Sequence, residues 1–106
     1  MIQKTFSERV LEIALSIGSG EVSSYGDIAR TAGAGGQAAR SISGILGRYY
    51  YKGYTEIPFH RIVYSNGQVW KSDEYDQQRM KLYKKEGVPI DEKGYIKDFE
   101  SRRKKY

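Results

Sequence analysis

Apolar residues return at helical intervals at the head of the chain, with Phe6, Val10, Ile13 and Ile17 falling on one face, and this spacing predicts a first, core-facing helix. Thr5 and Glu8 are spaced as a capping box at its start, and Gly18 stands as its stop. Residues Ser24 to Ala32 predict a short second helix, capped by Ser23 or Ser24 and ended by the turn Gly33-Ala34-Gly35-Gly36. A third helix is expected from about Gln37 to Arg48, and two short helices joined by a glycine-rich turn form the helix-turn-helix pattern. From His60 the run His-Arg-Ile-Val-Tyr-Ser, then Asn66-Gly67, then Gln68-Val69-Trp70 predicts a β-hairpin on a type I′ turn. Ser72 is expected to cap a fourth helix over about Asp73 to Glu86, with Gly87 ending it. The remainder to Tyr106 is polar, with Ile90, Tyr95, Ile96 and Phe99 available to dock it.

Placed at 100 degrees per residue, the third helix separates two faces. Ala38, Ile42, Ile45 and Leu46 gather on one side, and Gln37, Arg40, Ser41, Gly44, Gly47 and Arg48 on the other. The second face combines cations with residues that have almost no side chain, so it can approach a grooved surface closely. The competing reading is that Gly44 and Gly47 serve tight packing against another helix, at a cost of roughly 1 kcal/mol each relative to alanine. Burying Arg40 and Arg48 against protein would need partners that the sequence does not supply, which favours a DNA-facing surface.

Length and charge narrow the class. At 106 residues the chain suits a single domain with one hydrophobic core, so the expected fold is mainly α, a winged helix-turn-helix-like bundle with a small β-hairpin. The core would span about residues 5–88 and a basic C-terminal extension 89–106. Zero cysteines and a single histidine exclude disulfides and thiolate zinc sites and leave little for a metal centre. Met1 to Thr5 run into charged residues before any long apolar stretch, so neither a signal peptide nor a membrane span is expected, and the expected location is the cytoplasm, or the nucleoid of a prokaryote. The net charge of +5, from 18 basic against 13 acidic residues, suits a nucleic-acid partner. Part of the excess lies in Arg102-Arg103-Lys104-Lys105, which reads equally as a solvated tail or a phosphate-contacting arm. The aromatic stretch Tyr49-Tyr50-Tyr51-Lys52-Gly53-Tyr54, expected as a loop, is suited either to stacking on bases or to packing on the domain.

The segment Ile57-Pro58-Phe59-His60-Arg61-Ile62-Val63 resembles the Pro-Cys-His-Arg-Val signature of the O6-alkylguanine-DNA alkyltransferases, with Phe59 at the position of the reactive cysteine. Gly20 to Ala29 resembles the family's Gly-x-Val-x-x-Tyr segment, Ala38-Ala39-Arg40-Ser41-Ile42-Ser43-Gly44 its recognition-helix motif, and Lys84-Lys85-Glu86-Gly87 its Glu-Gly segment. The resemblance covers about Phe6 to Val88, with the motifs in the family's order. A phenyl ring cannot accept an alkyl group, and the chain is identified on these motifs as an alkyltransferase-like protein, the cysteine-lacking branch of that family.

The resemblance implies a C-terminal-domain-like alkyltransferase fold that binds duplex DNA through the minor groove, flips O6-alkylguanine into a pocket, and flags it for nucleotide excision repair without catalysis, as a monomer with no cofactor. It implies that Tyr25 presses on the phosphate 3′ to the target and that Arg40 intercalates into the space of the flipped base. Gln37, Ser41, Gly44 and Arg48 would share the DNA face. Tyr25, Phe59, Arg61, Val63, Tyr64 and Trp70 would form the alkylguanine pocket. His60 and Glu86 would remain as a vestigial relay, although without a thiol to activate, a structurally satisfied histidine is the stronger reading of His60. The family's Asn-Pro hinge is replaced by the Tyr49 to Tyr54 segment, and Trp70 stands where the family usually has glycine. The alternative function is a general winged-helix DNA-binding module without lesion specificity.

Overall fold

The computed structural model of the chain describes residues 4–70 and 76–106. Helix α1 spans Phe6–Leu15, opened by the expected capping box: the Glu8 N–H donates to Thr5 Oγ1 at 3.1 Å, and the Thr5 N–H donates back to Glu8 Oε1 at 3.0 Å. A two-residue strand β1, Ser23–Ser24, leads directly into α2, Tyr25–Thr31. Ser24 is the cap of α2, exchanging backbone and side-chain hydrogen bonds with Asp27 at 3.0 and 3.2 Å. After a 3-10 turn over Gly36–Ala38 comes α3, Ala39–Tyr51; strand β2 is Ile62–Val63, α4 is Asp76–Glu86, and α5 is the single turn Phe99–Arg102. The expected Ser72 cap and the start of the fourth helix near Asp73 lie outside the described residues. Among the described residues no helix is long and apolar enough to cross a membrane.

Two expected boundaries move. Helix α3 does not stop at Arg48: Tyr49, Tyr50 and Tyr51 form its last turn, so the aromatic stretch is half helix rather than loop. Its end is set by Gly53, whose φ of +116° is open to glycine and strained for other residues. The Gly53 N–H reaches the Tyr50 carbonyl at 3.0 Å and the Tyr54 N–H the Tyr49 carbonyl at 3.1 Å, which is the Schellman closure. The Tyr49 and Tyr54 rings meet edge-on at 5.4 Å across it. The hairpin expectation is also corrected. The chain does reverse at Asn66-Gly67, with the Gly67 N–H donating to the Tyr64 carbonyl at 2.8 Å and the Tyr64 N–H to the Gln68 carbonyl at 2.9 Å. Asn66 keeps a negative φ while Gly67 takes +86°, so this is a three-residue loop ending in a left-handed glycine rather than a type I′ turn. No ladder grows from it, because both arms pair elsewhere.

Ile62 and Val63 pair in parallel with Ser23 and Ser24, while Val69 donates to the Gly94 carbonyl at 2.8 Å and Gln68 bridges Tyr95. Successive strand residues point to opposite faces, so β2 sends Ile62 into one cluster of buried side chains and Val63 into another. The first is built from Val10, Leu11, Ala14, Ile28, Ile42 and Leu46 of the three N-terminal helices, joined by Ile57. The second gathers Val22, Val69, Tyr83, Val88 and Ile96, with Ile90 and Phe99 against it. The single core expected from chain length is therefore two clusters meeting at the strand pair.

The C-terminal segment is neither a solvated tail nor a free phosphate arm. Val22 donates to the Arg102 carbonyl at 3.0 Å and accepts from the Lys104 N–H at 2.7 Å, adding a third extended segment beside β1. Arg103 grips both oxygens of Asp27, at 2.7 and 2.6 Å, and the Tyr106 hydroxyl lies 2.8 Å from Ser23 Oγ. Asp27 sits in the first turn of α2, where a carboxylate is favoured by the helix dipole. Burial pushes its carboxyl up, but the Arg103 guanidinium and the Ser24 backbone and hydroxyl outweigh it and hold the group at about 2. A carboxyl depressed from 3.8 contributes stability that is whole above that pH and is lost as pH falls towards 2. Arg103→Met should therefore destabilise the fold by about 2 kcal/mol at neutral pH. Urea melts should show that the difference from wild type shrinks below pH 4; a constant difference across that range would place the effect in packing rather than in the ion pair.

Candidate nucleic-acid interface

The outward face expected of the third helix forms on α3 and on the 3-10 turn before it, which holds Gln37. Ile42, Ile45 and Leu46 are buried, while Gln37, Arg40, Ser41, Gly44 and Arg48 are exposed and Gly47 is half-buried. A Cβ placed on Gly47 would meet nothing within 4 Å, and one on Gly44 only the Arg48 guanidinium at 3.9 Å. The small residues are thus not there for helix packing, which removes the competing reading. Among the described residues neither Arg40 nor Arg48 has a carboxylate partner. The face is cationic and nearly smooth, which lets a backbone groove come close.

Arg40 also lines a cleft of about 610 Å³ between the start of α2, the start of α3 and the signature turn. Its aromatic walls are Tyr25, Phe59, Tyr64 and Trp70. Tyr25 is the first residue of α2, so the Ser24–Asp27–Arg103 cluster that fixes the helix start also fixes its ring. That ring tilts against Tyr64 with centroids 5.8 Å apart, and burial raises its pKa, so it stays a neutral phenol. Phe59 packs edge-on to Tyr50 at 5.8 Å and remains 39% exposed at the mouth. Trp70 is stacked by the Arg79 guanidinium at 4.9 Å.

Two residues expected in this pocket are elsewhere. Val63 is fully buried in the second cluster, because the strand alternation that brings Ile62 to the first core turns Val63 away from the cleft. Arg61 faces in the opposite direction, onto Glu86. Arg30, Ala39, Ser43 and Ser65 line the cleft without having been singled out; of these Ser43 was accessible to the helical wheel, one turn beyond Arg40.

Behind the cleft lies a polar cluster that the sequence only half discloses. Glu86 Oε2 is 2.7 Å from His60 Nε2, and Arg61 clamps the same carboxylate through Nε at 3.0 Å and Nη2 at 2.8 Å. The Gly20 N–H adds a fourth bond at 3.1 Å, and the remaining arm of Arg61 donates to the Ile17 carbonyl at 2.8 Å. The carboxylate is only 7% exposed. Burial pushes it up, yet Arg61, His60 and the Gly20 amide together hold it at about 2. A carboxylate accepts only, so His60 Nε2 carries the proton of their shared bond. The last turn of a helix disfavours a negative charge, and Arg61 is what offsets that penalty.

The cluster's stability sign follows from a carboxyl depressed from 4.5 to about 2: its contribution is full above pH 4.5 and fades as pH falls through 2. Arg61→Leu leaves the buried carboxylate without its guanidinium counter-charge, held only by His60 and the Gly20 amide, and should cost about 3 kcal/mol at pH 7. Glu86→Gln should flatten the acid limb of the wild-type melting profile between pH 5 and 2, read by circular dichroism; an unchanged limb would assign acid unfolding to other carboxylates.

Comparison with known proteins follows the same map. Residues 5–88 match the profile of the family described as 6-O-methylguanine DNA methyltransferase, DNA binding domain. The DNA base-flipping protein of Escherichia coli is 34% identical over 94 residues, covering 89% of this chain and 70% of that protein. The protein of the same name from Vibrio parahaemolyticus is 33% identical, covering 86% and 88%. Among solved structures, S. pombe Atl1 in complex with damaged DNA containing O6-carboxymethylguanine superposes with a TM-score of 0.76 at 27% identity over the whole of both chains. The Mycobacterium tuberculosis O6-methylguanine methyltransferase reaches 0.60 at 28% identity over 85% of this chain and 54% of that one. With a helix-turn-helix that presents Arg40 beside an aromatic cleft, and a profile match over most of its length, the chain belongs to the 6-O-methylguanine DNA methyltransferase DNA-binding-domain family.

Proposed function

We propose that the chain is a non-enzymatic sensor of O6-alkylated guanine in duplex DNA. It lays the small-residue face of α3 into the minor groove, inserts Arg40 where the target base was, and receives that base in the aromatic cleft. The observation that carries this reading is the position of Arg40, exposed on a smooth cationic face and at the same time a wall of the cleft. A side chain so placed can fill the vacated stack while the base lies beside it. Flipping costs a few kcal/mol of pairing and stacking, least for a damaged base, and Tyr25, Tyr64, Phe59 and Trp70 offer ring faces that recover part of it. The relatives named for base flipping and the neighbour bound to O6-carboxymethylguanine DNA support this choice over a general DNA binder.

Phe59 occupies the cysteine position of the family signature in this reading, and no sulfhydryl exists anywhere in the chain to take its place. Dealkylation needs a thiolate to attack the alkyl carbon. The His60–Glu86 pair survives as a structural tie, held by Arg61 rather than by a nucleophile. The protein works as a monomer in the cytoplasm or nucleoid, and its output is a bent, marked lesion handed to nucleotide excision repair.

Arg40→Ala should lower affinity for an O6-methylguanine duplex about tenfold and abolish the fluorescence rise of a flipped base analogue, with the melting temperature unchanged. Equal affinity of the wild type for guanine and O6-methylguanine duplexes, with a steep salt dependence, would instead identify a general phosphate-dominated binder.

Phe59→Cys places a thiol next to the His60–Glu86 pair and should acquire one methyl group from O6-methylguanine DNA, read as a mass increase, where wild type acquires none. Because Phe59 is 39% exposed, the stability lost should fall below the roughly 3–5 kcal/mol of a buried phenylalanine truncation. Methyl uptake by the wild type would overturn the non-enzymatic reading.

A further inference from the structure

A second cleft of about 630 Å³ opens between α4 and the C-terminal segment. It shares no lining residue with the Arg40 cleft. Its floor is apolar: Met80, half of whose surface is exposed, with Val88, Pro89 and Ile90. Its rim is cationic. Lys81 and Lys84 stand one turn apart on α4, and Arg102 reaches in from α5. No carboxylate lines the cleft, and neither lysine is ion-paired among the described residues.

We infer that this cleft is a docking site for an acidic, apolar-studded peptide segment of another protein, its carboxylates meeting Lys81, Lys84 and Arg102 and its apolar side chains covering Met80, Pro89 and Ile90. Charge complementarity selects an anion, and a guanidinium prefers a carboxylate or phosphate that it can grip by two bonds. The floor decides between them. A nucleic-acid backbone would satisfy the cations and leave the apolar surface wet, whereas a peptide alternating acidic and apolar residues answers both. The inference goes beyond the lesion-sensing reading and does not require it, since the two clefts have no residue in common and a partner can sit here with or without DNA.

The test uses the full chain and a short fluorescein-labelled peptide alternating Glu with Leu and Phe, against the same peptide with Leu and Phe replaced by Ser. Anisotropy should show saturable binding at least tenfold tighter for the apolar peptide, and NMR should show a shift of the Met80 methyl. Both lysines are exposed, so Lys81→Gln/Lys84→Gln should fold as wild type, weaken the peptide at least tenfold and leave duplex affinity within threefold. Met80→Ser, which alters no charge, should weaken the peptide and leave DNA binding untouched. Equal binding of the two peptides would reduce the effect to net charge and overturn the proposal. A Met80 methyl that stays still, or that shifts with protein concentration in the absence of peptide, would do the same by placing the site elsewhere or assigning the cleft to a second copy of the chain. Loss of duplex affinity in step with peptide affinity would make the cleft part of the DNA surface and equally end it.

Discussion

The buried carboxylate of Glu86 is the contact on which the rest of this structure leans. One side chain at the end of α4 joins the signature turn through His60 and Arg61 and the approach to β1 through the Gly20 amide; Arg61 extends the tie to the end of α1 through the Ile17 carbonyl. Three segments distant in sequence, around residues 17–20, 60–61 and 86, are thereby fixed at one point. The two apolar clusters cannot do this, because hydrophobic contact is non-directional and tolerates sliding. A bidentate guanidinium–carboxylate pair specifies both distance and plane. Such a pair contributes little net stability against an apolar alternative, but removing either partner alone strands a buried charge.

A second polar tie does for the helix-turn-helix what Glu86 does for the signature turn. Asp27 caps α2 through Ser24 and is gripped from outside by Arg103. Tyr25 lies between the cap and that aspartate, so the orientation of its ring into the cleft depends on residues from both ends of the chain. The parallel strand pair links the two ties, since β1 runs into Tyr25 and β2 runs out of Arg61. The cleft thus lies between two ion pairs, with Phe59, Tyr64 and Trp70 exposed on its walls and Tyr25 half-buried.

The His60–Glu86 bond shows how a catalytic arrangement differs from a structural one that looks the same. A histidine oriented by a carboxylate is ready to take a proton from a neighbour, yet the neighbour at this turn is a phenyl ring. Arg61 changes the balance further by drawing the carboxylate's charge to itself. The imidazole is held in a fixed orientation and ties the signature turn to the end of α4. The side chain preceding His60 in the chain, Phe59, offers that imidazole no nucleophilic atom.

The residues by themselves settled whatever depends on near neighbours. Thr5 and Glu8 announced their capping box, the 100-degree spacing of Ile42, Ile45 and Leu46 announced which face of α3 is buried, and the order of the Tyr25, Arg40 and Phe59-His60 motifs announced the family. Contacts between distant residues were not legible. Val63 and Arg61 sit in the signature, but a strand's alternation and a partner 25 residues away in sequence turned both out of the cleft. Arg103 read as part of a charge run until Asp27, 76 residues earlier, gave it a fixed place. The helix expected to end near Arg48 runs on to Tyr51, because the Schellman closure at Gly53 and the Tyr49–Tyr54 contact across it set the end. Local hydrogen bonds and periodicity are encoded within a few residues. The pairing of buried charges and the direction of an extended segment are decided only when the whole chain has closed around them.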